Sequence, residues 1–393
     1  MKDLNRDESP YSLWQLIRYF LKLGTVGFGG PVALIGYMRR DLVEERKWIP
    51  EIDYKDGVAL AQLAPGPLAT QTAIYIGYVH YRILGATLAG IAFVLPSFLM
   101  VLVLGVAYKL YGGLIWMQAV FYGVSASVIG IIAVSAYRLT KKTIAKDWLL
   151  WIIYIITVLL TVITESEQAL LFILSGVVVW LIKVPPKIRL PRIRTSGLMA
   201  LSIFPLNFLF FSTGTTQILW KIFGFFTKAG AFVFGSGLAI VPFLYGGLVK
   251  QYHWLNDRQF IDAVAVAMIT PGPVVITVGF IGFLVAGLPG SLVAALGTFL
   301  PCYLFTIIPA PYFKRYGKKP SIAAFVDGVT AAAIGAITGS AIILTRKSIN
   351  DSATVVIAII TIVLLGKFRR IPEPLIVLAA ALVGLAIKFY LPH

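Results

Sequence analysis

The chain contains one pattern of helix-breaking residues twice. A shift of 206 residues, with no gap, makes the following pairs coincide: Phe20 and Phe226, Trp48 and Trp254, Asp56 and Asp262, Pro65-Gly-Pro67 and Pro271-Gly-Pro273. After a slip of one residue, Gly123 coincides with Gly328 and the segment that follows also matches. What recurs is mostly glycine and proline inside apolar segments. The sequence therefore predicts a duplicated fold in which each half contains broken helices at equivalent places.

The composition is that of a membrane protein. Hydrophobic residues make up 59% of the 393 residues and charged residues 13%, whereas soluble domains have about a quarter charged residues. Runs such as 148–160 and 353–365 are apolar and carry no charge, and several others approach the roughly 20 residues that cross a bilayer. We expect an all-α polytopic membrane protein with about 10–13 membrane segments, some of them broken or re-entrant.

The repeats set the domain boundaries. We expect an N-terminal tail (1–10), a first repeat (11–182), a basic linker with a short apolar segment (183–215) and a second repeat (216–391). The tail carries five charges and lacks a cleavage pattern, which favours a retained tail over a signal peptide. The apolar piece 198–211 either crosses the membrane or lies along it.

Loop charges predict how the two repeats are oriented. If the linker is cytoplasmic, the basic loop 138–146 also lies inside, and the loop with Glu165 and Glu167 lies outside. In the second repeat the basic loops 314–319 and 367–370 occupy places where the first repeat has few positive charges. Because positive loops favour the cytoplasm, the two repeats are expected to be inverted relative to each other.

Several function classes are disfavoured. The net charge of +17 arises from Lys and Arg in short loops between apolar segments, as membrane topology demands, so a nucleic-acid partner is not expected. One cysteine and three scattered histidines predict neither disulfides nor a metal site. The sequence has no nucleotide-binding loop, nucleophile elbow or metalloprotease motif, so we expect neither an enzyme nor a cofactor.

The helix breaks predict an anion site. A glycine-rich break at membrane depth needs protein or a water-filled cavity beside it, and a helix that restarts at a proline directs amides and the positive end of its dipole toward an anion. The expected backbone ligands are Gly29, Gly30 and Gly66, with Gly235, Ser236 and Gly272 in the second repeat. The alternative is that these residues only permit kinks or close packing; their occurrence in both repeats favours a site.

Polar side chains near the breaks complete the predicted site. Lys22 and Lys228 occupy equivalent places before their breaks and would attract an anion, unless they are helix-end lysines that reach the membrane surface. Thr70, Gln71 and Thr270 would orient substrate oxygens, although threonine also bonds back to its own helix.

Three aspartates are candidates for gating or proton coupling. Asp56 and Asp262 each precede a Pro-Gly-Pro break by nine residues, about 13 Å along a helix, which places them at the mouth of a pathway. Asp327 lies in an otherwise apolar segment where the first repeat has Tyr122. The alternatives are helix capping for the first two and a structural role for the third.

Two motifs in each half resemble the chromate ion transporter (CHR) family. Phe20-Leu-Lys-Leu-Gly-Thr-Val-Gly-Phe-Gly-Gly-Pro31 and Leu63-Ala-Pro-Gly-Pro-Leu-Ala-Thr-Gln71 are similar to the signatures of its first domain, and 226–242, 270–273 and 297–301 resemble its second domain. The resemblance implies a two-domain, multi-pass protein of a prokaryotic inner membrane. It also implies export of chromate, a structural analogue of sulfate, and hence chromate resistance.

The sequence and the resemblance together predict a secondary transporter that exports chromate across the cytoplasmic membrane. One alternative is an importer or exchanger of sulfate or a related oxyanion, and another is a membrane scaffold or sensor that transports nothing. The expected partners are the small anion and the lipid bilayer, with the chain acting alone or as a homodimer. Transport direction and the coupling ion stay open.

Overall fold

A computed structural model of the chain describes most of the two repeats. The described residues are 10–28, 30–112, 114–145, 147–165, 169–185, 214–232, 240–316, 319–349, 351–368 and 373–390. The predicted segment 198–211 lies outside them. Within these ranges the chain is helical and contains no strand, as the all-α prediction requires.

The helices of the two repeats follow one another in the same order. The first repeat contains α1 (Leu13–Val26), α2 (Gly30–Met38), α3 (Glu51–Leu63), α4 (Leu68–Tyr111), α5 (Ile115–Thr143), α6 (Trp148–Thr164) and α7 (Ala169–Lys183). The second contains α8 (Gly214–Ala231), α9 (Ile240–Tyr245), α10 (Asp257–Ile269), α11 (Thr277–Ile307), α12 (Ala310–Tyr316), α13 (Pro320–Ser348), α14 (Ser352–Lys367) and α15 (Glu373–Tyr390). In the described part of the chain, four helical segments are long and apolar enough to cross a membrane, and they include α4, α5, α11 and α13. The protein is therefore multi-pass.

The longest helices, α4 and α11, each reverse direction once. The backbone leaves helical geometry at Arg82 (φ 52°) and at Gly287 (φ 62°). Gly77 packs directly on the carbonyl of Gly85, although eight residues of straight helix would separate them by about 12 Å. We therefore divide α4 into α4a (68–81) and α4b (83–111), and α11 into α11a (277–285) and α11b (288–307). The apolar runs 57–79 and 85–108 lie on either side of Arg82, and the runs 260–285 and 290–308 lie on either side of Gly287. The sequence therefore predicts separate segments there, and the structure confirms them.

Each Pro-Gly-Pro segment forms the tip of a helical hairpin. In the first repeat Gly57 of α3 packs against the ring of Tyr75 of α4a. In the second, the Thr277 hydroxyl of α11a donates a 2.6 Å hydrogen bond to the carbonyl of Ala263 in α10. The two arms of each hairpin thus run antiparallel. We call residues 64–67 tip 1 and residues 270–273 tip 2.

The two repeats are inverted, as the loop charges predicted. The equivalent helices α4b and α11b pack against each other, with the hydroxyl of Thr87 2.6 Å from that of Tyr303. Further along α4b, Phe98 and Ser291 meet at the same glycine, Gly279. Later residues of α4b therefore contact earlier residues of α11b, so the two helices run antiparallel. Two equivalent helices that run antiparallel are related by a twofold axis across them, which is the geometry of inverted repeats.

The repeats exchange their C-terminal helices. Helix α5 packs on α14 and α15 of the second repeat, and α13 packs on α6 and α7 of the first. Equivalent glycines make these contacts: Gly123 meets the backbone of Ala380, and Gly328 meets the backbone of Ser175. The two repeats are consecutive in sequence, but because they exchange helices they do not form two independently packed domains.

Candidate functional site

Tip 1 and tip 2 meet at one small cavity. It is lined by Pro67 of tip 1, by Gly272 and Pro273 of tip 2, and by Pro31 and Leu34 of α2. Its volume is about 10 Å³, which is the space for roughly one water molecule. A tetrahedral oxyanion does not fit, so the breaks come together here in a closed arrangement.

Tip 2 is fixed by contacts with the first repeat. Gly272 has φ 89°, a backbone conformation that side chains other than glycine disfavour. Its amide donates a 2.9 Å hydrogen bond to the carbonyl of Gly27, at the break between α1 and α2. The place that a Cβ would take is occupied by the hydroxyl of Ser97 in α4b. Only glycine therefore fits this position.

Tip 1 makes the matching contact with the second repeat. Gly66 has φ 141°, and a Cβ there would lie 2.7 Å from the Gln71 amide nitrogen and 3.1 Å from the Cys302 sulfur of α11b. A shift of 205 residues, which carries Pro96 onto Pro301, also carries Ser97 onto Cys302. Each tip thus rests on the residue that follows a proline in the opposite repeat.

Helix N-termini converge on the cavity. Pro31 lies in the first turn of α2, Pro67 precedes α4a, and Val274 begins the short helical turn that leads into α11. The first amides of a helix have no partner within the helix, and its N-terminus carries a partial positive charge. The arrangement therefore places several positive helix ends around one point, which favours an anion.

Two buried side chains beside tip 1 have unused polar atoms. Thr70 is 1% exposed and Gln71 is 0% exposed. The Gln71 amide nitrogen donates to the carbonyl of Pro65 at 2.8 Å, but in the described part of the chain neither its oxygen nor the Thr70 hydroxyl has a hydrogen-bond partner. Buried polar atoms without partners are rare and call for an explanation such as a ligand or water.

The site is asymmetric. The 205-residue shift carries Thr70 onto Val275 and Gln71 onto Ile276. Both of these are buried and apolar. The segment after tip 1 therefore carries buried polar side chains, whereas the equivalent segment after tip 2 is apolar.

Other predicted site residues lie elsewhere or outside the described ranges. Lys22 and Lys228 are exposed on α1 and α8, so their placement gives no support to a role beside the cavity. The Thr270 hydroxyl bonds back to its own helix, 3.1 Å from the carbonyl of Val266. Gly30 begins α2 with φ 73°. Gly29, Gly235 and Ser236 lie outside the described residues.

The three aspartates have different surroundings. Asp262 is 3% exposed and accepts a 2.7 Å hydrogen bond from Tyr108 of α4b. Asp262 lies in the middle of α10, whose N-cap is Asn256, so the helix-capping alternative is wrong for this residue, and its place at the mouth of a pathway stays a prediction. Asp56 is half-buried. Asp327 lies 4.0 Å from Lys183 at the end of α7, which fits the structural alternative.

Sequence reasoning missed Ser97 and Tyr108. Both belong to α4b, yet they contact tip 2 and α10 of the other repeat. The equivalence of Pro96 and Pro301 was a signal for Ser97, because it marks the same turn of two related helices. Nothing in the sequence indicated Tyr108, because its partner Asp262 lies 154 residues later in the chain and the fold brings the two together.

Ion pairs join the two repeats at the far end of α6. Lys347 of α13 lies 2.9 Å from Asp257, the first residue of α10, and Lys250 pairs with Glu165 at the end of α6. The hydrogen bond from Lys250 lowers the pKa of Glu165. Burial raises the pKa of Asp257, but hydrogen bonds from Lys347 and Tyr245 outweigh it, and the pKa is lowered. We call these four charged residues the far-end cluster.

Replacing Lys347 by glutamine should lower the melting temperature of the detergent-solubilised protein by a few degrees at most. The cluster is partly exposed, and such pairs contribute about 1 kcal/mol or less. Because the carboxyl pKa values are lowered in the folded state, this stabilisation is present above about pH 4 and is lost as the pH falls through the folded values. The difference between Lys347→Gln and the wild type should therefore shrink in acid and in high salt.

The exposed Lys221 of α8 provides the control for this measurement. Lys221→Gln should melt like the wild type at every pH. An equal loss of stability in both variants would contradict the role of the far-end cluster.

Comparison with known proteins identifies the repeat. A family model described as chromate transporter matches residues 14–180 and again residues 220–385. A chromate transport protein of Cupriavidus metallidurans is 66% identical over 98% of this chain and 95% of its own length. A probable chromate transport protein of Synechococcus elongatus is 60% identical over 95% of both chains. A chromate transport protein of Pseudomonas aeruginosa is 30% identical over 95% of this chain and 92% of its own. No solved structure matches the chain. Because the family model covers both repeats and close relatives span nearly the full length, this chain belongs to the chromate transporter family.

Proposed function

We propose that the protein is a secondary transporter that moves chromate out of the cell across the cytoplasmic membrane and so confers chromate resistance. Family membership and the names of the full-length relatives support the substrate. Export, chromate resistance and the inner membrane are proposed because they fit this family. No catalytic step is assigned to any residue.

The observation that carries the proposal is the meeting of both tips at one closed cavity, and the segment after tip 1 adds two buried polar atoms that have no hydrogen-bond partner among the described residues. Binding an oxyanion there requires the tips to separate. In an inverted pair of repeats, rocking one repeat against the other opens such a site to one face and then to the other. The cavity of about 10 Å³ then belongs to a closed arrangement of the tips.

The roles of the residues follow from their positions. Gly66 and Gly272 allow the tips to approach closely, and separation of the tips would free backbone amides for an anion. The Thr70 hydroxyl donates to an oxyanion, and Gln71 holds tip 1 through its bond to Pro65. Gly29, Gly30, Gly235 and Ser236 remain proposed backbone ligands. We do not assign the exposed Lys22 and Lys228 a direct contact with the substrate.

Chromate flux into and out of proteoliposomes tests the proposal directly. The pH gradient and the sulfate concentration on the trans side should be varied independently. Flux that needs trans sulfate would favour an exchanger, and flux of sulfate alone would favour the sulfate importer. Absence of any oxyanion flux from correctly folded protein would support a scaffold or sensor.

The variant Thr70→Val should lower the initial rate of chromate flux by about tenfold, because a hydrogen bond to a charged group contributes about 1.5–3 kcal/mol. Thr72→Val is the matched control. Thr72 is equally buried two residues away, but its hydroxyl bonds back to the carbonyl of Leu68 at 2.8 Å. Equal rates for the two variants would remove Thr70 from the site.

A further inference from the structure

A large cavity opens between α5, α6 and α13, away from the two tips. Its volume is about 990 Å³. A second cavity of about 770 Å³ adjoins it between α5 and α14 and shares the wall residues Ala133, Tyr137 and Lys141. These walls belong to α5 and α13, two of the helices long and apolar enough to cross a membrane. The cavity therefore lies against the bilayer region.

The size and lining of the cavity exclude a small inorganic anion as its occupant. Ala133, Ala136 and Ala341 form an apolar floor, and Ile342 and Tyr137 stand beside it. Tyr137 is 66% exposed. A lone oxyanion would leave this surface in contact with water, which is unfavourable in proportion to the apolar area. The fitting occupant has a long apolar body.

The rim of the cavity carries positive charge. Lys141 lies one turn after Arg138 on α5, and both are exposed. Arg346 of α13 also lines the cavity, but it lies at the opposite end, next to Lys347 of the far-end cluster. Arg138 lines the adjoining cavity, where it donates to the carbonyl of Leu365 at the end of α14, and Lys141 lines both cavities. The occupant therefore has a negatively charged head.

Aromatic residues stand at the same rim. Trp151 and Tyr154 of α6 line the cavity and pack edge to face, with ring centroids 5.4 Å apart. The Trp151 indole donates to the carbonyl of Ala145 at 3.1 Å. Tryptophan and tyrosine are enriched at the level of lipid headgroups, and basic pockets between membrane helices bind anionic headgroups.

We propose that this cavity is a binding site for an anionic phospholipid. Its phosphate lies at Lys141 and Arg138, and an acyl chain lies along Ala133, Tyr137 and Ile342. Neither tip lines this cavity, so the lipid site does not depend on which substrate is transported. The negative charge of the occupant is that of a lipid phosphate.

Native mass spectrometry of the purified full chain tests the proposal. The detergent-solubilised protein is mixed with phosphatidylglycerol or with phosphatidylethanolamine of the same acyl chains. We expect preferential retention of phosphatidylglycerol by the wild type and about fivefold weaker retention by Lys141→Gln, the effect of removing one charge near an anionic headgroup. Lys221→Gln on α8 is the control and should retain the lipid like the wild type. Equal retention of both lipids by the wild type overturns the proposal, even if the variant fails to fold.

Two further measurements distinguish a lipid from other occupants of the cavity. If millimolar inorganic phosphate or sulfate displaces the phosphatidylglycerol, the site belongs to a free anion and the proposal fails. If the lipid-free protein is a dimer whose cavity no longer takes up added lipid, a second copy of the chain covers this face and the proposal also fails. Retention that resists both arms supports the lipid site.

Discussion

Replacing Gly272 by alanine is expected to reduce the initial rate of chromate flux by about tenfold or more. An alanine at φ 89° is strained by about 1–3 kcal/mol, and each 1.4 kcal/mol of added barrier is about tenfold in rate. The new methyl group also collides with the Ser97 hydroxyl. Since the Gly272 amide bonds to Gly27 of the other repeat, the displacement disturbs the contact on which closure depends. Flux in proteoliposomes, normalised to the folded protein, measures the effect.

The two causes of this loss can be separated with a second substitution. Ser97→Ala in the Gly272→Ala background removes the collision but leaves the backbone strain, so we expect partial recovery of flux. Gly224→Ala is the control, because a Cβ on this helical glycine of the same repeat meets nothing within 4 Å. Wild-type flux in Gly272→Ala would show that tip 2 does not take part in closure.

The fold could be predicted from the sequence to the extent that it rests on repeated helix breakers and loop charges. The separate segments on either side of Arg82 and Gly287 and the inversion of the repeats were both predicted, because lipid forces apolar helices to span and positive loops to stay inside. The exchange of C-terminal helices was not predicted. Gly123 and Gly328 pack against the opposite repeat, and repetition alone does not show with which copy an equivalent surface pairs.

The site could be predicted only as far as its backbone. The two Pro-Gly-Pro tips were identified, and the structure brings them to one cavity. The side chains of the site were harder to predict, because the sequence does not show to which face of its helix a lysine before a break points. Lys22 and Lys228 are exposed. Thr70 and Thr270 both lie beside a Pro-Gly-Pro segment in the sequence. The Thr70 hydroxyl has no hydrogen-bond partner among the described residues, whereas the Thr270 hydroxyl bonds to its own helix.

The interface between the two repeats contains one buried acid, Asp262, whose equivalent in the first repeat is not buried. Asp262 of α10 is 3% exposed and accepts a hydrogen bond from Tyr108 of the other repeat. The equivalent residues of the other half are Asp56, which is half-buried, and Phe313, which has no hydroxyl and joins an apolar cluster. A carboxyl enclosed between moving parts is costly in the charged form and by default indicates a function. If protons couple to transport, Asp262 is therefore the carrier that we propose.

The variant Asp262→Asn should retain the fold, because asparagine has the same shape and its oxygen still accepts the Tyr108 hydrogen bond. It cannot bind and release a proton, so chromate flux driven by a pH gradient should fall by at least about tenfold, which corresponds to about 1.4 kcal/mol of added barrier. Asp56→Asn is the matched control from the equivalent position and should keep its response to the gradient. Tyr108→Phe leaves the carboxyl without its donor and should lower stability by about 1–3 kcal/mol. A full response to the pH gradient in Asp262→Asn would exclude this residue as the carrier and would favour exchange against sulfate, which needs no titratable group.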